Sequence, residues 1–341
     1  MQSLAPNSVT SVDELRRCAD RSDPDAQTAL GKRLLAGDGM PASPQEGAAF
    51  IAQAAQGGHG EAAAIAAVLI GLGARAHADW TKALEYLQQS AENGWESAQR
   101  QLTVLSSDAE LADQGQKPSP PPDIWGRLRR SIDVPGWVRV PPSAEVSAAP
   151  KIALFDSFVD RRCCEWLIGR ARPRLERSRV FARDGRAAVA DARTNSAFEF
   201  DLLSLDTVLL LARARIAQAA GFAPHALENT NILHYSPGQE FARHFDFLDP
   251  DLPSHAQEIE AKGQRVATFL VYLNDEYTGA ETDFPLLEKR FRCRTGGALL
   301  FFNVDLSGVP DRRTLHAGLA PRAGEKWLLS QWIRGRPMQS A

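Results

Sequence analysis

Apolar residues in the first third of the chain recur at helical spacing, and the recurrence itself repeats. Asp25-Ala26 reappears as Glu61-Ala62 and again as Ser97-Ala98, 36 residues apart each time. The same offset carries Phe50 onto Tyr86, Ile51 onto Leu87, Ala55 onto Ala91 and Gly58 onto Gly94. Small residues at matched positions let helices approach closely, apolar pairs fill the seam, and the glycines suit helix C-caps. The pattern predicts helical hairpins stacked into a short α-solenoid over residues 22–106, two full units and a partial third, behind a flexible N-terminus at 1–21. The second unit departs in its turn, where IGLGARAHADW stands in place of LAGDGMPASPQ.

From residue 107 to 150 the chain turns proline-rich (KPSPPPDIW, then VPPSAEVSAAP), which predicts a linker, since prolines cannot continue a helix. Trp125, Trp137 and Val138 suggest that part of this seam docks onto a neighbour. Beyond Lys151 the period changes. KIALFDSF reads as a strand and DRRCCEWLIGRARPRL as a helix with Cys164, Leu167 and Ile168 on its apolar side; a second helix is expected over Leu203–Ala219. Short β-rich runs follow: NTNILHYS, EFARHFDF, RVATFLVYLND, ETDFP, GALLFFN, RTLHAGL and EKWLLSQWIRG, punctuated by Gly, Pro and Asp. They predict a double-stranded β-helix, or jelly roll, with flanking helices over 151–336 and a short tail at 337–341. The multidomain reading is thus an α-solenoid followed by a β-barrel. The small, polar stretch 179–195 reads equally as a lid at the barrel mouth or as a plain surface hairpin.

A net charge of −3 gives no reason to expect a polyanion-binding surface, so no nucleic-acid partner is expected. Arg127, Arg129 and Arg130 read as a solvated linker face. Cys18, Cys163, Cys164 and Cys293 include no CxxC pair, which argues for a reducing compartment. With neither a leader-like start nor a long apolar run, a cytoplasmic chain without a membrane partner is expected.

Candidate chemistry centres on His244-Phe245-Asp246. On a strand, residues i and i+2 share a side, so His244 and Asp246 can face one ion. A second HxD, His77-Ala78-Asp79, lies at a turn of the repeats with no third ligand in view and reads as a surface turn. The HFD copy gains weight from His316 in a later strand: two histidines and a carboxylate leave three positions open, as in non-haem Fe(II) oxygenases, with zinc as the rival ion. Lys326, ten residues after His316 in the next apolar strand, is costly in a barrel unless it meets an anion. A dicarboxylate chelating iron through its keto-acid end would place its far carboxylate there, with Tyr235 and Thr282 able to donate to it.

HYSPGQEFARHFDF, RVATFLVYLND, GAETDFP, GALLFFN and LHAGLAPRAGEKWLLSQWIR together resemble the catalytic domain of the prolyl 4-hydroxylase family of 2-oxoglutarate oxygenases, over roughly 151–336. ALGKRLLAGDGM, AAFIAQAAQGG and ALEYLQQSAENG resemble Sel-one-like repeats. The first resemblance implies iron on His244, Asp246 and His316, and the 2-oxoglutarate C5 carboxylate on Lys326, supported by Tyr235 and Thr282 with Trp332 walling the pocket. It also implies O2 as co-substrate and ascorbate as an accessory reductant. On the substrate side it points to Arg193 in ARTNSAFEF and to Arg265. Phe241 stands where a tyrosine is common, Arg334 where a histidine is common, and Asn195 where a serine is usual. The expected activity is therefore hydroxylation of a peptidyl proline, with the repeats recruiting the protein target. The alternatives are the same chemistry on another residue or a small metabolite, and a non-catalytic scaffold with a degenerate barrel.

Overall fold

The computed structural model describes residues 11–73, 78–177, 180–181, 187–188 and 193–335. The chain separates into two compact units. One is Met1–Val134 together with Leu202–Leu210, the other Pro135–Asp201 together with Leu211–Ala341.

The first unit is helical: α1 (Val12–Asp20), α2 (Pro24–Ala36), α3 (Pro44–Gln56), α4 (Gly60–Gly71), α5 (Trp80–Glu92), α6 (Glu96–Leu105), α7 (Ala109–Gly115) and α8 (Ile124–Arg130). Helix starts at Pro24, Gly60 and Glu96, and at Pro44 and Trp80, reproduce the 36-residue offset of the sequence. Gly58 and Gly94 sit at φ 86° and 80°, and the amides that follow them, His59 and Trp95, return to the carbonyls of Ala54 and Ser90 at 3.0 Å each. That closure needs a left-handed residue, which glycine supplies without a Cβ clash. Within the first hairpin a Cβ on Gly31 would stand 2.8 Å from Ile51, so glycine sets how closely α2 meets α3. Ile51, Ala54, Ala55 and Ala62 are fully buried in the resulting core, and Leu202 and Leu203 pack on the same cluster.

Two expected boundaries are corrected here. Residues 12–20 are not a flexible segment, because α1 buries Leu15 and Ala19 against Leu30 and Leu34. Residues 107–150 are not a linker: α7 and α8 bury Leu111, Ala112, Ile124, Trp125 and Leu128 in the first unit. Pro118 and Pro120 to Pro122 fall between these helices, where no helical N–H is required. Arg127, Arg129 and Arg130 form the last turn of α8, where cations complement the free carbonyls, and Arg129 donates to Gln88 at 2.5 Å. Of the tail, residues 337–341 lie outside the described residues.

Helix α9 (Val134–Val138) starts on the last residue of the Met1–Val134 stretch, and the second unit continues with β1 (Ala144–Ala148), β2 (Lys151–Phe155), α10 (Arg161–Ala171), β3 (Glu176–Arg177), β4 (Val180–Phe181), β5 (Ala187–Ala188) and β6 (Ser196–Phe200). After α11 (Thr207–Ala220) come β7 (Thr230–Tyr235), β8 (Phe241–His244), α12 (Pro253–Lys262), β9 (Arg265–Tyr272), β10 (Tyr277–Gly279), β11 (Thr282–Phe284) and β12 (Lys289–Phe291). The chain closes with β13 (Ala298–Phe302), β14 (His316–Gly318), β15 (Pro321–Gly324) and β16 (Lys326–Arg334). An antiparallel eight-stranded sheet runs β1-β2-β13-β9-β16-β7-β6-β3, facing a four-stranded sheet β12-β11-β14-β8. Ile152, Leu233, Leu270, Leu299, Phe301 and Leu328 of the large sheet meet Phe284 and Phe291 of the small one. Each such side chain contributes on the order of 1.5–3 kcal/mol by leaving water.

Helix α10 covers the outer face with Cys163, Cys164 and Leu167, while Ile168 is only half-buried. Helix α11 starts at Thr207 rather than Leu203, because Asp206 caps it by accepting from the Leu209 amide at 2.9 Å. Arg213 on α11 donates to the carbonyls of Glu228 and Leu227 and to Thr230 and Gln331, a guanidinium satisfied by neutral acceptors that pins the helix to the sheet.

Candidate active site

Strands β8 and β14 pair so that His316 stands directly opposite His244. Strand β8 ends at His244, and Asp246 lies in the bend beyond it, yet still turns to the same side. The Asp246 oxygens lie 3.5 Å from His244 Nε2 and 3.5 Å from His316 Nε2, and donor atoms of all three residues fall within 4.8 Å of one another. Each imidazole hands its Nδ1 proton to a backbone carbonyl, His244 to Ala242 at 2.8 Å and His316 to Thr314 at 2.9 Å. With Nδ1 committed to a carbonyl, Nε2 is in each ring the nitrogen that faces the carboxylate and the one that could ligate a metal.

Burial and the neighbouring His244 push His316 down to about 4, so it is neutral at pH 7. Burial works against ionisation of Asp246, but the facing His316 and His244 and the Thr268 hydroxyl outweigh it and hold the carboxyl below its usual range. Two imidazoles and one carboxylate on one side of a buried site form a donor set that fits a divalent metal with open positions. His77 of the second HxD lies outside the described residues. Asp79 caps α5, accepting from the Lys82 amide at 2.9 Å.

Lys326 opens β16 and is fully buried, with β15 intervening between it and His316. Its Nζ donates to the Ala280 carbonyl at 2.8 Å and lies 5.5 Å and 5.2 Å from the ring centres of Tyr235 and Tyr272. No carboxylate pairs with it among the described residues, and burial pulls its ammonium down to about 7. Tyr235 is its cross-strand partner, and burial lifts that phenol to about 12, keeping it a proton donor. A Cβ on Gly318 would come within 3.2 Å of the Tyr235 hydroxyl, and Gly318 in turn pairs with Thr282. Lys326, Tyr235 and Thr282 therefore cluster, two residues along β14 from His316.

Sequence reasoning missed Tyr272, whose hydroxyl is 2.7 Å from Thr282 Oγ1 and 3.2 Å from the Phe291 carbonyl. If the phenol proton goes to Phe291, Thr282 spends its own proton on Tyr272; if it goes to Thr282, the threonine is free to donate to a ligand. Thr268 was missed as well. The available signal was polar residues on the Thr268, Leu270, Tyr272 face of an otherwise apolar strand.

The substrate-side expectations fare differently. The Phe241 ring stacks on His244 at 3.5 Å, and the Arg193 guanidinium lies 4.6 Å above the Phe241 ring. Arg193 is nearly buried and donates to Asn195 at 3.2 Å. Arg265 makes two bonds to Glu228, 2.7 and 2.9 Å, and its guanidinium lies 3.7 Å from the Trp332 ring centre. Arg334, expected among the substrate-side residues, is corrected. It is 1% exposed and spent on Glu228 (2.5 Å), Glu258 (2.5 Å) and the Gly263 carbonyl (2.8 Å). No local pattern announced Glu228, because it meets its arginines only through strand pairing. Most of the stretch 179–195, read as lid or hairpin, lies outside the described residues.

A family model described as the 2OG-Fe(II) oxygenase superfamily matches residues 230–334. Prolyl 4-hydroxylase 1 of Arabidopsis thaliana is 32% identical over 205 residues, covering 55% of this chain and 70% of the relative. The viral collagen prolyl hydroxylase of Paramecium Bursaria Chlorella virus-1, solved with 2OG, is 26% identical at a TM-score of 0.43, over 54% of this chain and 96% of that one. A Sel1 repeat protein from Oxalobacter formigenes is 24% identical at a TM-score of 0.29, over 35% of this chain and 97% of that one.

Proposed function

The chain belongs to the prolyl 4-hydroxylase family of Fe(II)- and 2-oxoglutarate-dependent oxygenases, and from that premise we propose that it hydroxylates a peptidyl proline. His244, Asp246 and His316 would hold the iron, and Lys326 the C5 carboxylate of 2-oxoglutarate, with Tyr235 and Thr282 donating beside it. Lys326 is the observation that carries this reading. A fully buried ammonium whose strong partner is a single backbone carbonyl is an unfinished ion pair, and a dicarboxylate finishes it. Bound together, the metal and co-substrate supply the oxidation, placing one oxygen atom of O2 on carbon and the other in succinate as CO2 is lost.

The chain's own residues do the rest. His244 and His316 would ligate through Nε2, Phe241 stacks an apolar ring on His244, and Trp332, with Arg265 over its ring, would wall the pocket. On the substrate side Arg193 is the buried cation whose partner is an amide rather than a carboxylate, which suits it to a peptide carbonyl. The reading extends to ascorbate as a reductant after uncoupled turnover, to recruitment of the protein target by the helical repeats, and to a cytoplasmic setting. The same oxygenase acting on another residue is the second reading, favoured by a Phe241 without a hydroxyl and an Arg334 already paired.

Anaerobic addition of Fe(II) and 2-oxoglutarate should produce a visible charge-transfer band that His244→Ala loses. Succinate release should then depend on a proline-containing peptide, which gains one oxygen atom in mass. An intact band with no turnover across a broad set of proline peptides would transfer the case to the second reading. No band in the intact protein would leave a scaffold or a zinc site.

A further inference from the structure

Thr268 and Asn303 have no exposed surface, and together they connect the supports of two metal-facing residues. Thr268 Oγ1 lies 2.7 Å from Asp246 Oδ2, and Asn303 Nδ2 lies 3.0 Å from Thr268 Oγ1. Donor arithmetic sets the direction. An ionised carboxylate only accepts, so the single hydroxyl proton goes to Asp246, and the hydroxyl oxygen accepts from the asparagine amide. An asparagine turned the other way would put its oxygen against a hydroxyl that has no proton left to give.

Asn303 reaches the other arm through its backbone. Its carbonyl accepts from the Asp311 amide at 2.9 Å, and the Asp311 carbonyl accepts from the Thr314 amide at 3.0 Å and the Thr314 hydroxyl at 2.7 Å. The Thr314 carbonyl is the one that takes the Nδ1 proton of His316. One residue at the end of β13 thus braces the carboxylate through its side chain and an imidazole through its main chain.

We propose that Thr268 and Asn303 are positioning residues of the metal site: Thr268 holds Asp246 through Oδ2 and fixes the orientation of the carboxylate toward the two imidazoles, while Asn303 orients Thr268 and steadies the loop that leads into His316. The proposal rests on reading Asp246 and His316 as metal ligands. Its consequence is affinity: a carboxylate already held in one orientation would meet a metal without first losing its freedom to turn, and a released one would bind it more weakly.

The test uses the full-length protein and Co(II) alone, with affinity and visible spectrum as readouts, followed by the anaerobic Fe(II) and 2-oxoglutarate band. Thr268→Val keeps the shape and removes the donor. It should weaken Co(II) binding on the order of 10- to 100-fold and alter the Co(II) spectrum. Thr268→Ser should restore both, and Asn303→Leu should move both in the direction of Thr268→Val. A general packing defect would not be rescued by serine, which returns the hydroxyl and leaves the methyl missing. Wild-type affinity and spectrum in Thr268→Val, or no recovery in Thr268→Ser, would overturn the proposal. If Thr268→Val does not fold, Asn303→Leu and Thr268→Ser decide it: a wild-type spectrum in Asn303→Leu, or a disturbed one in Thr268→Ser, goes against it. Failure of the unaltered protein to bind Co(II) or to form the Fe(II) and 2-oxoglutarate band would instead strike the ligand reading beneath it.

Discussion

At the scale of single residues, Lys326 sets the terms. Burial brings its ammonium down to about 7, whereas in an unfolded chain it keeps its proton up to about 10.4. Between those values the unfolded state binds the extra proton, so the unliganded protein gains stability as pH rises across that window, and the cost of the buried charge is fully present below it. A bound carboxylate reverses the preference and favours the ammonium. Binding of 2-oxoglutarate should therefore take up close to one proton at about pH 8.5 and almost none at about pH 6, with affinity falling as pH rises. Calorimetry in two buffers of different ionisation heat measures this, and no uptake at the higher pH would remove Lys326 from the carboxylate. Lys326→Met should lose 2-oxoglutarate binding while the unliganded protein melts no lower than the wild type, because an uncompensated buried charge has been removed.

At the scale of elements, the two HxD tripeptides show how context assigns a role. Asp79 begins a helix and caps it, while Asp246 follows a strand paired to the strand of His316. Asp79→Ala should cost about 1 kcal/mol in chemical denaturation and leave iron binding intact. Asp246→Ala should lose the metal; an iron defect in Asp79→Ala would contradict the assignment. Long helices and strands were legible because their burial follows a period: the 36-residue offset appears directly in the helix starts. Short ones were not. Helix α12 begins on Pro253, buries no residue and so writes no apolar stripe. Helices α7 and α8 are only seven residues each, separated by prolines that read as a linker.

At the scale of the whole molecule, the segment Leu202–Leu210 clusters with the first unit although the chain on either side of it belongs to the second. Leu202 and Leu203 pack on the core that holds Ile51 and Ala62, and the Thr207 amide donates to Gln101 at 2.9 Å. A fragment of residues 135–341 would bare those leucines. It should bind an apolar dye and melt below the full chain in thermal scans, and a fragment melting with the full chain would show that the segment needs no cover.

What the sequence by itself determined here is whatever repeats or alternates locally: the helical repeats and the strand runs of the barrel, whereas Asp246 faces His244 through the bend that follows β8. Lys326 was readable too, since an ionised side chain in an apolar strand needs a counter-charge wherever the strand lies. Tertiary structure alone decided the partners. Glu228 closes Arg334 and Arg265, Tyr272 meets Thr282, and Asn303 reaches Asp246 through Thr268, because pairing of distant strands brings each of them within hydrogen-bond range. Such contacts depend on register between segments far apart in the chain, and register is set by packing of the whole core.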